Sequence, residues 1–337
     1  MKMEKRSEWK GILVYLQCQN GKMHSSAAEL IGEAGRLARI SKESVYVLGI
    51  GSEIRRLQEE LEGYPVAKAY LYETQDIYEP CLYADLAESC IRELMPSVVL
   101  VGGTYEGRSL APRLAVRFRT GLTADCTSLD MDEAGNLVQT RPAFGGDVMA
   151  SILTENSRPQ FATVRPGMMN PAKKEEINQT EICIRDCTEI RGKAEIAVQE
   201  CRNNTVDIRK CRILVAAGRG VKKKEDLEML YELAEFLGGE LASSRALVEK
   251  GWMPAERQIG LSGNSVRPEY LITVGVSGTV QFMAGMRQTK NIIAINSDPK
   301  ARIFEIAHYP ICGDLYEIVP AMIKQLKRKA EKEAYEC

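Results

Sequence analysis

Two α/β domains, each built on a parallel sheet, are the fold class this 337-residue sequence predicts, and three observations predict it. Length allows about two domains of roughly 150 residues each, and the 45% apolar content is enough to bury two cores. In the first half, short β-branched runs alternate with amphipathic helical stretches, the pattern of strands joined by helical crossovers. After a polar, charged segment at 173–210 the same alternation starts again.

The elements follow in order. GILVYLQC (11–18) reads as the first strand, and SSAAELIGEAGRLARI (25–40) repeats apolar residues at three and four spacing, with Ser25 or Ser26 available as the N-cap. VYVLGI (45–50), a helix over 54–61, AKAYLY (67–72), a helix around 84–94 and SVVLVGG (97–103) continue the alternation. Beyond Leu122 the text becomes strand-rich, with LVQTRPAFGG (137–146), VMASIL (148–153) and PQFATVRPG (159–167), which predicts an added β region closing the first domain. CIRDCTEI reads as one strand within a connecting segment, and the boundary is placed at 203–210, giving domains of 1–205 and 211–330. The second domain opens with CRILVAAGRG (211–220). KEDLEMLYELAEFLGG follows as a helix whose Leu227, Leu230, Ala234 and Leu237 share a face and which Gly238 stops. YLITVG, NIIAINSD and PICGDL are further strands, and KQLKRKAEKEAYEC is a solvated closing helix.

Lys plus Arg (45) nearly cancels Asp plus Glu (46), so no net field draws the chain to nucleic acid, and basic and aromatic residues are not interleaved. The uncharged LITVGVSGTVQFMAGM (271–286) is too short and too polar to span a bilayer, which excludes membrane insertion. Ten irregularly spaced cysteines and an N-terminus without an apolar leader point to a reducing cytoplasm. Cys183, Cys187, Cys201 and Cys211 lack the spacing of paired zinc knuckles and read as scattered thiols; no metal site is expected. His24 and His308 have no nucleophile motif beside them, so no catalytic residue is assigned and a helix-start or surface role is expected for both.

Four segments carry binding chemistry. AAGRGVKK (216–223) leads from a strand into Gly218-x-Gly220, but Lys223 stands where a dinucleotide fingerprint needs its third glycine, leaving Arg219 as an anion ligand at a strand end. GVSGTVQ (275–281) places a glycine-flanked serine between a strand and a helix start, where backbone N–H groups favour a phosphate, and it lacks the lysine of a triphosphate loop. ASSRALVEKGW (242–252) and QIGLSGNSVRP (258–268) add Ser244, Arg245, Ser262 and Asn264 on neighbouring turns. Loops following strands converge at the carboxyl edge of an open sheet, so these segments are expected to share one ligand.

In this order and spacing, AAGRGV, ASSRALVEKGW, QIGLSGNSVRPEY, VGVSGTVQFMAGM, AINSDPKARIF and GDLYEIVP resemble the alpha subunit of electron transfer flavoproteins. GGTYEGRSLAPRLAVR, TGLTADCTSLD, QTRPAFGG and RPQFATVRPG carry the likeness into the first half. The resemblance implies a nucleotide-alpha-hydrolase-like N-terminal domain that pairs with a beta subunit, a doubly wound FAD-binding C-terminal domain, and electron transfer with a flavoprotein dehydrogenase. Residue by residue it makes Arg219, Ser244, Arg245, Ile259, Gly260, Leu261, Ser262, Ser277, Gly278, Thr279, Val280, Gln281, Phe282, Asn296, Asp314 and Leu315 the FAD contacts. Within that set Arg245 lies by the isoalloxazine ring and raises its potential, Ser262 donates to flavin N5, and Asn296 and Asp314 serve the adenosine part.

The sequence departs from the family at Phe282, where histidine is usual near the flavin pyrimidine, at Leu261 for glutamine and at Asn264 for lysine. Phenylalanine gives a developing anion no hydrogen bond or charge, so a lower potential or a less stabilised anionic semiquinone than in histidine-bearing relatives is expected. QTRPAFGG and SGTVQF resemble the anaerobic branch, some members of which bifurcate electrons between NADH and ferredoxin with a second flavin in the beta subunit. The competing readings are an autonomous NAD(P)-dependent oxidoreductase, suggested by Gly218-x-Gly220, and a regulatory module binding AMP or ATP in the first domain.

Overall fold

The computed structural model describes residues 8–19, 21–74, 78–143, 148–175, 179–188, 190, 192 and 206–335. The chain divides into two compact units, whose described residues run through 143 and from 148 to 192 in the first and from 206 to 335 in the second. Of the predicted boundary at 203–210, residues 203–205 lie outside the described residues.

The first unit runs through β1 (Ile12–Leu16), the short antiparallel pair β2 (Cys18–Gln19) and β3 (Lys22–Met23), α1 (Ser26–Ser41), β4 (Val45–Gly51), α2 (Leu57–Leu61), β5 (Lys68–Glu73) and α3 (Pro80–Leu94). It continues with β6 (Val98–Gly102), α4 (Tyr105–Arg117), β7 (Leu122–Cys126), β8 (Ser128–Met131), β9 (Leu137–Ala143), β10 (Val148–Ile152), β11 (Gln160–Val164) and β12 (Glu181–Asp186). Seven of these strands form a parallel sheet in the order β12-β5-β4-β1-β6-β11-β7. Every residue of β1 is buried, because the sheet is covered on both faces: Ile12, Val14 and Leu16 pack with α1, while Leu13 and Tyr15 pack with α3 and α4.

Four sequence expectations change here. The β region after Leu122 is not wholly an addition, since β7 and β11 complete the parallel sheet and only β8, β9 and β10 form a separate antiparallel one. The strand read within the connecting segment, β12, is an edge strand paired in register with β5. The helix α4 had no counterpart in the sequence reading, because Pro112 lies inside it and breaks the local pattern. At the start of α1 neither serine side chain caps the helix; His24 does, its Nδ1 accepting from the Ser26 amide at 3.2 Å.

The second unit is simpler. It carries β13 (Ile213–Ala217), α5 (Leu227–Phe236), β14 (Glu240–Ser243), α6 (Arg245–Glu249), β15 (Tyr270–Val274), α7 (Val280–Ala284), β16 (Asn291–Asn296), β17 (Tyr309–Cys312) and α8 (Leu315–Tyr335). Its strands are all parallel in the order β14-β13-β15-β16-β17. Numbered within the unit this is 2-1-3-4-5, a doubly wound sheet whose direction of winding reverses between β13 and β15. Loops leaving those two strands run to opposite faces, so a crevice opens at their carboxyl ends. Leu227, Leu230 and Ala234 bury one face of α5, and Gly238 at φ +64° ends the turn beyond it. β14 and α6, four and five residues long, are too short to show a period in the sequence, and the closing helix begins earlier than predicted, at Leu315, and runs through Pro320.

Candidate functional site

A cavity of about 510 Å³ lies at the crevice of the second unit. Its wall is drawn from the segments that follow β13, β14 and β15 and from the turn at 258–262. Of the residues singled out in the sequence, Arg219, Ser244, Arg245, Ile259, Gly260, Leu261, Ser262, Ser277, Thr279, Gln281 and Phe282 line it.

Close backbone contacts build this wall. A Cβ on Gly218 would stand 2.3 Å from the Gly275 carbonyl oxygen, and one on Gly220 2.8 Å from Gly275 Cα, so only glycines let the loops after β13 and β15 touch. The Gly220 amide donates to that same carbonyl at 3.0 Å. These glycines therefore join two loops rather than open a helix, and α5 begins only at Leu227, which removes the geometry of a dinucleotide fingerprint. Gly278 sits at φ +78° against the backbone of Ile303, whose amide donates to the Ser277 carbonyl at 3.2 Å. The Leu261 amide donates to the Gln281 carbonyl at 2.7 Å and the Gly260 amide to Asn264 at 3.1 Å, which holds the turn against α7. Thr279 caps α7, accepting from the Phe282 amide at 3.4 Å. With only five residues, α7 offers first-turn amides rather than a developed macrodipole, which narrows the role expected of it.

The lining is apolar on one side, through Ile259, Val276 and Phe282, all buried, with Leu261 partly so. Phe282 is 4% exposed and belongs to the core beneath the cavity together with Ile259, Val276 and Met286. The polar side carries hydroxyls and amides, two arginines and one carboxylate, Glu249. Arg245 Nε lies 2.8 Å from Glu249 Oε1, but both side chains are well over half exposed, so the pair adds little stability.

Gly278, Val280, Asn296, Asp314 and Leu315 are not part of the cavity wall. Asn296 braces the loop after β15, its Nδ2 donating to the Val276 carbonyl at 2.8 Å and its Oδ1 accepting from Asp298 at 2.9 Å. Asp314 accepts from the Tyr316 amide at the start of α8, and Leu315 is buried in the core beside Gly275. Ala246, Glu249, Gln258 and Val276 line the cavity without having been singled out. Two carried a sequence signal: Glu249 is four residues from Arg245 on a helix, and Gln258 opens the very turn that was quoted.

Of the four cysteines grouped in the sequence, three lie among the described residues. Cys183 lies on β12, Cys187 is buried in the first unit, Cys211 Sγ lies 3.7 Å from the Asp207 carbonyl in the second, and Cys201 is outside the described residues. Among the described residues no group of three or more His, Cys, Asp or Glu side chains is placed to hold a metal, and no helix is long and apolar enough to cross a membrane.

A parallel sheet in the 2-1-3-4-5 order, with a glycine-joined, part-apolar cavity at its reversal point, defines a cofactor-binding α/β unit of the doubly wound class. Residues 12–188 match the electron transfer flavoprotein domain family and residues 207–287 the electron transfer flavoprotein FAD-binding domain family. The chain belongs to the electron transfer flavoprotein family and is of the alpha-subunit type. It is 44% identical over 328 residues to the lactate dehydrogenase (NAD(+),ferredoxin) subunit LctC of Acetobacterium woodii, covering 96% of this chain and 78% of that one. It is 38% identical to the electron transfer flavoprotein subunit alpha of Thermoanaerobacterium thermosaccharolyticum, covering 96% and 99%. With the acryloyl-CoA reductase electron transfer subunit beta of Anaerotignum propionicum the identity is 34%, covering 95% and 96%.

Proposed function

We propose that this chain holds one FAD in the cavity of its second unit and, paired with a beta subunit in the cytoplasm, passes electrons between a flavoprotein dehydrogenase and another carrier. The observation that supports this most strongly is the convergence of Arg219, Arg245, Ser262 and the Ser277 turn on one cavity at the sheet's reversal point. The residues fit the group. Positions 218, 220, 275 and 278 admit no side chain, which keeps backbone amides within reach of a pyrophosphate. Ile259, Leu261, Val276 and Phe282 offer an apolar surface for an aromatic ring. Arg219 and Arg245 add positive charge against one carboxylate, which suits an anionic ligand.

When bound, FAD supplies reversible acceptance of electrons, which none of the cavity's own side chains provides. Arg245 opposes the charge gained on reduction, to a degree set by Glu249 beside it. Phe282 excludes water at its end of the cavity and offers no proton or charge. Gly278 and Asn296 fix the loop after β15, Leu315 packs beside Gly275, Asp314 stands at the start of α8 and Val280 sits in the first turn of α7, the positions from which the resemblance brings them to the FAD.

The likeness to a subunit of a lactate dehydrogenase that uses NAD+ and ferredoxin favours a second, finer reading, in which the assembled protein couples those two carriers. Flavin counting on the purified complex with its beta subunit tests both readings. One FAD on this chain supports the first, and a second FAD on the beta subunit supports the finer one. A complex without flavin would refute both.

A further inference from the structure

We propose that Gln258 is a positioning residue that turns the Ser262 hydroxyl into a hydrogen-bond donor aimed into the cavity. This rests on the reading of that cavity as an FAD site, and it concerns a residue that reading does not otherwise use.

Gln258 is 7% exposed, lines the cavity, and sits at the base of the turn that carries Ser262. Its Nε2 donates to Ser262 Oγ at 3.0 Å. A hydroxyl that accepts such a bond has its own proton left for another acceptor. Among the described residues no protein acceptor meets that proton, and Ser262 itself is exposed on the cavity wall. The donor is therefore left to a bound molecule, and FAD presents ring nitrogens and carbonyls that accept.

The backbone that carries this side chain is held by three hydrogen bonds. The Gln258 backbone N–H donates to the Ala255 carbonyl at 3.1 Å, and the Gln258 backbone carbonyl accepts from the Asn264 backbone N–H at 2.7 Å and from Asn264 Nδ2 at 3.2 Å. A Cβ at Gly263 would lie 2.9 Å from Gln258 Cγ and 2.5 Å from its carbonyl oxygen, so the glycine keeps the space the glutamine occupies. Asn264, which stands in place of a long cation, thus anchors the backbone of the residue that orients Ser262.

Glutamine in this place donates to the hydroxyl, whereas a carboxylate of the same shape accepts from it and draws its proton out of the cavity. The test is a set of FAD titrations on the full chain, followed by flavin fluorescence, with Gln258→Glu, Gln258→Leu, Ser262→Ala and the two double variants. Melting curves of the FAD-free proteins check that each variant folds. Ser262→Ala and Gln258→Glu are expected to weaken binding about threefold to tenfold, the worth of one hydrogen bond. Gln258→Leu, which leaves the hydroxyl free to rotate, is expected to weaken it less. In the Ser262→Ala background neither change at 258 should cost anything further. Equal losses with and without the Ser262 hydroxyl, or a larger loss for Leu than for Glu, would show that Gln258 only shapes the turn and would overturn the inference. Failure of the unaltered chain to bind FAD would overturn the cavity assignment along with it, whereas normal binding with no effect at 258 would overturn this inference alone.

Discussion

Replacing Gly278 by alanine tests the cradle on which the site depends. At φ +78° an L side chain carries a strain of about 1–2 kcal/mol. The added Cβ would lie 2.3 Å from Ile303 N, 2.6 Å from Ile303 Cα and 2.9 Å from the Arg302 carbonyl carbon. Ordinary contact needs roughly 1 Å more, and the atoms that must yield are backbone, fixed by the bond from Ile303 to Ser277 and by the turn at Arg302–Glu305. Overpacking of this kind costs about 1–3 kcal/mol, so the two effects together predict a loss of about 2–5 kcal/mol in the second unit, with displacement of the Ser277 loop and weaker FAD binding. Gly238→Ala separates them, because Gly238 has a similar φ of +64° but nothing within 4 Å of its Cβ. It should lose only the strain. The two tryptophans fall one in each unit, so urea unfolding read from Trp252 in a Trp9→Phe background reports on the second unit alone. Equal losses for the two variants would refute the claim that the Gly278 cradle is sterically closed.

Arg245→Ala should change stability by no more than about 1 kcal/mol, since its ion pair with Glu249 is exposed, yet weaken FAD binding by about tenfold or more in a fluorescence titration. Phe282→His places an imidazole in a position only 4% exposed; the midpoint potential of the bound flavin should rise and urea stability should fall by about 1–3 kcal/mol. An unchanged potential would show that this position does not sense the flavin. In the first unit, burial pushes the Glu106 carboxyl up to about 7, although the Tyr15 hydroxyl donating to it at 2.6 Å opposes the shift. The native state then holds this proton more tightly than the unfolded chain, so the stability it contributes is present at low pH and is lost as pH rises from about 4.3 to about 7. Glu106→Gln should flatten the pH dependence of unfolding over that window, read from Trp9 in a Trp252→Phe background.

Much of this arrangement was legible because its signals are local. Alternating β-branched runs and amphipathic stretches mark strands and helices wherever the period is carried by adjacent residues, as in β1 and α5. The segments containing Arg219, Ser262 and Ser277 stood out because glycine and hydroxyl residues cluster at strand ends. What stayed hidden depends on distance or context. The pairing of β11 with β6 and β7 joins strands that are far apart in sequence, and nothing in PQFATVRPG says whether it enters the main sheet or an added one. Pro112 masks α4, and α6 is too short to show a period. Gly218 and Gly220 have the spacing of a phosphate fingerprint, yet their lack of side chains serves contact with Gly275 across the crevice. Phe282 belongs both to the core and to the cavity wall, a double role that one-dimensional patterning does not distinguish.

In the proposed function FAD occupies the cavity between the loops of β13, β14 and β15. Hydrogen exchange of the full chain with and without FAD, resolved to peptides by mass spectrometry, tests it most directly. Added protection should fall on peptides spanning 218–220, 244–249, 258–264 and 275–282, while the loop after β6 around Gly102 and Gly103 is unchanged. Protection confined to the first unit, or none in those four segments at saturating FAD, would contradict the account.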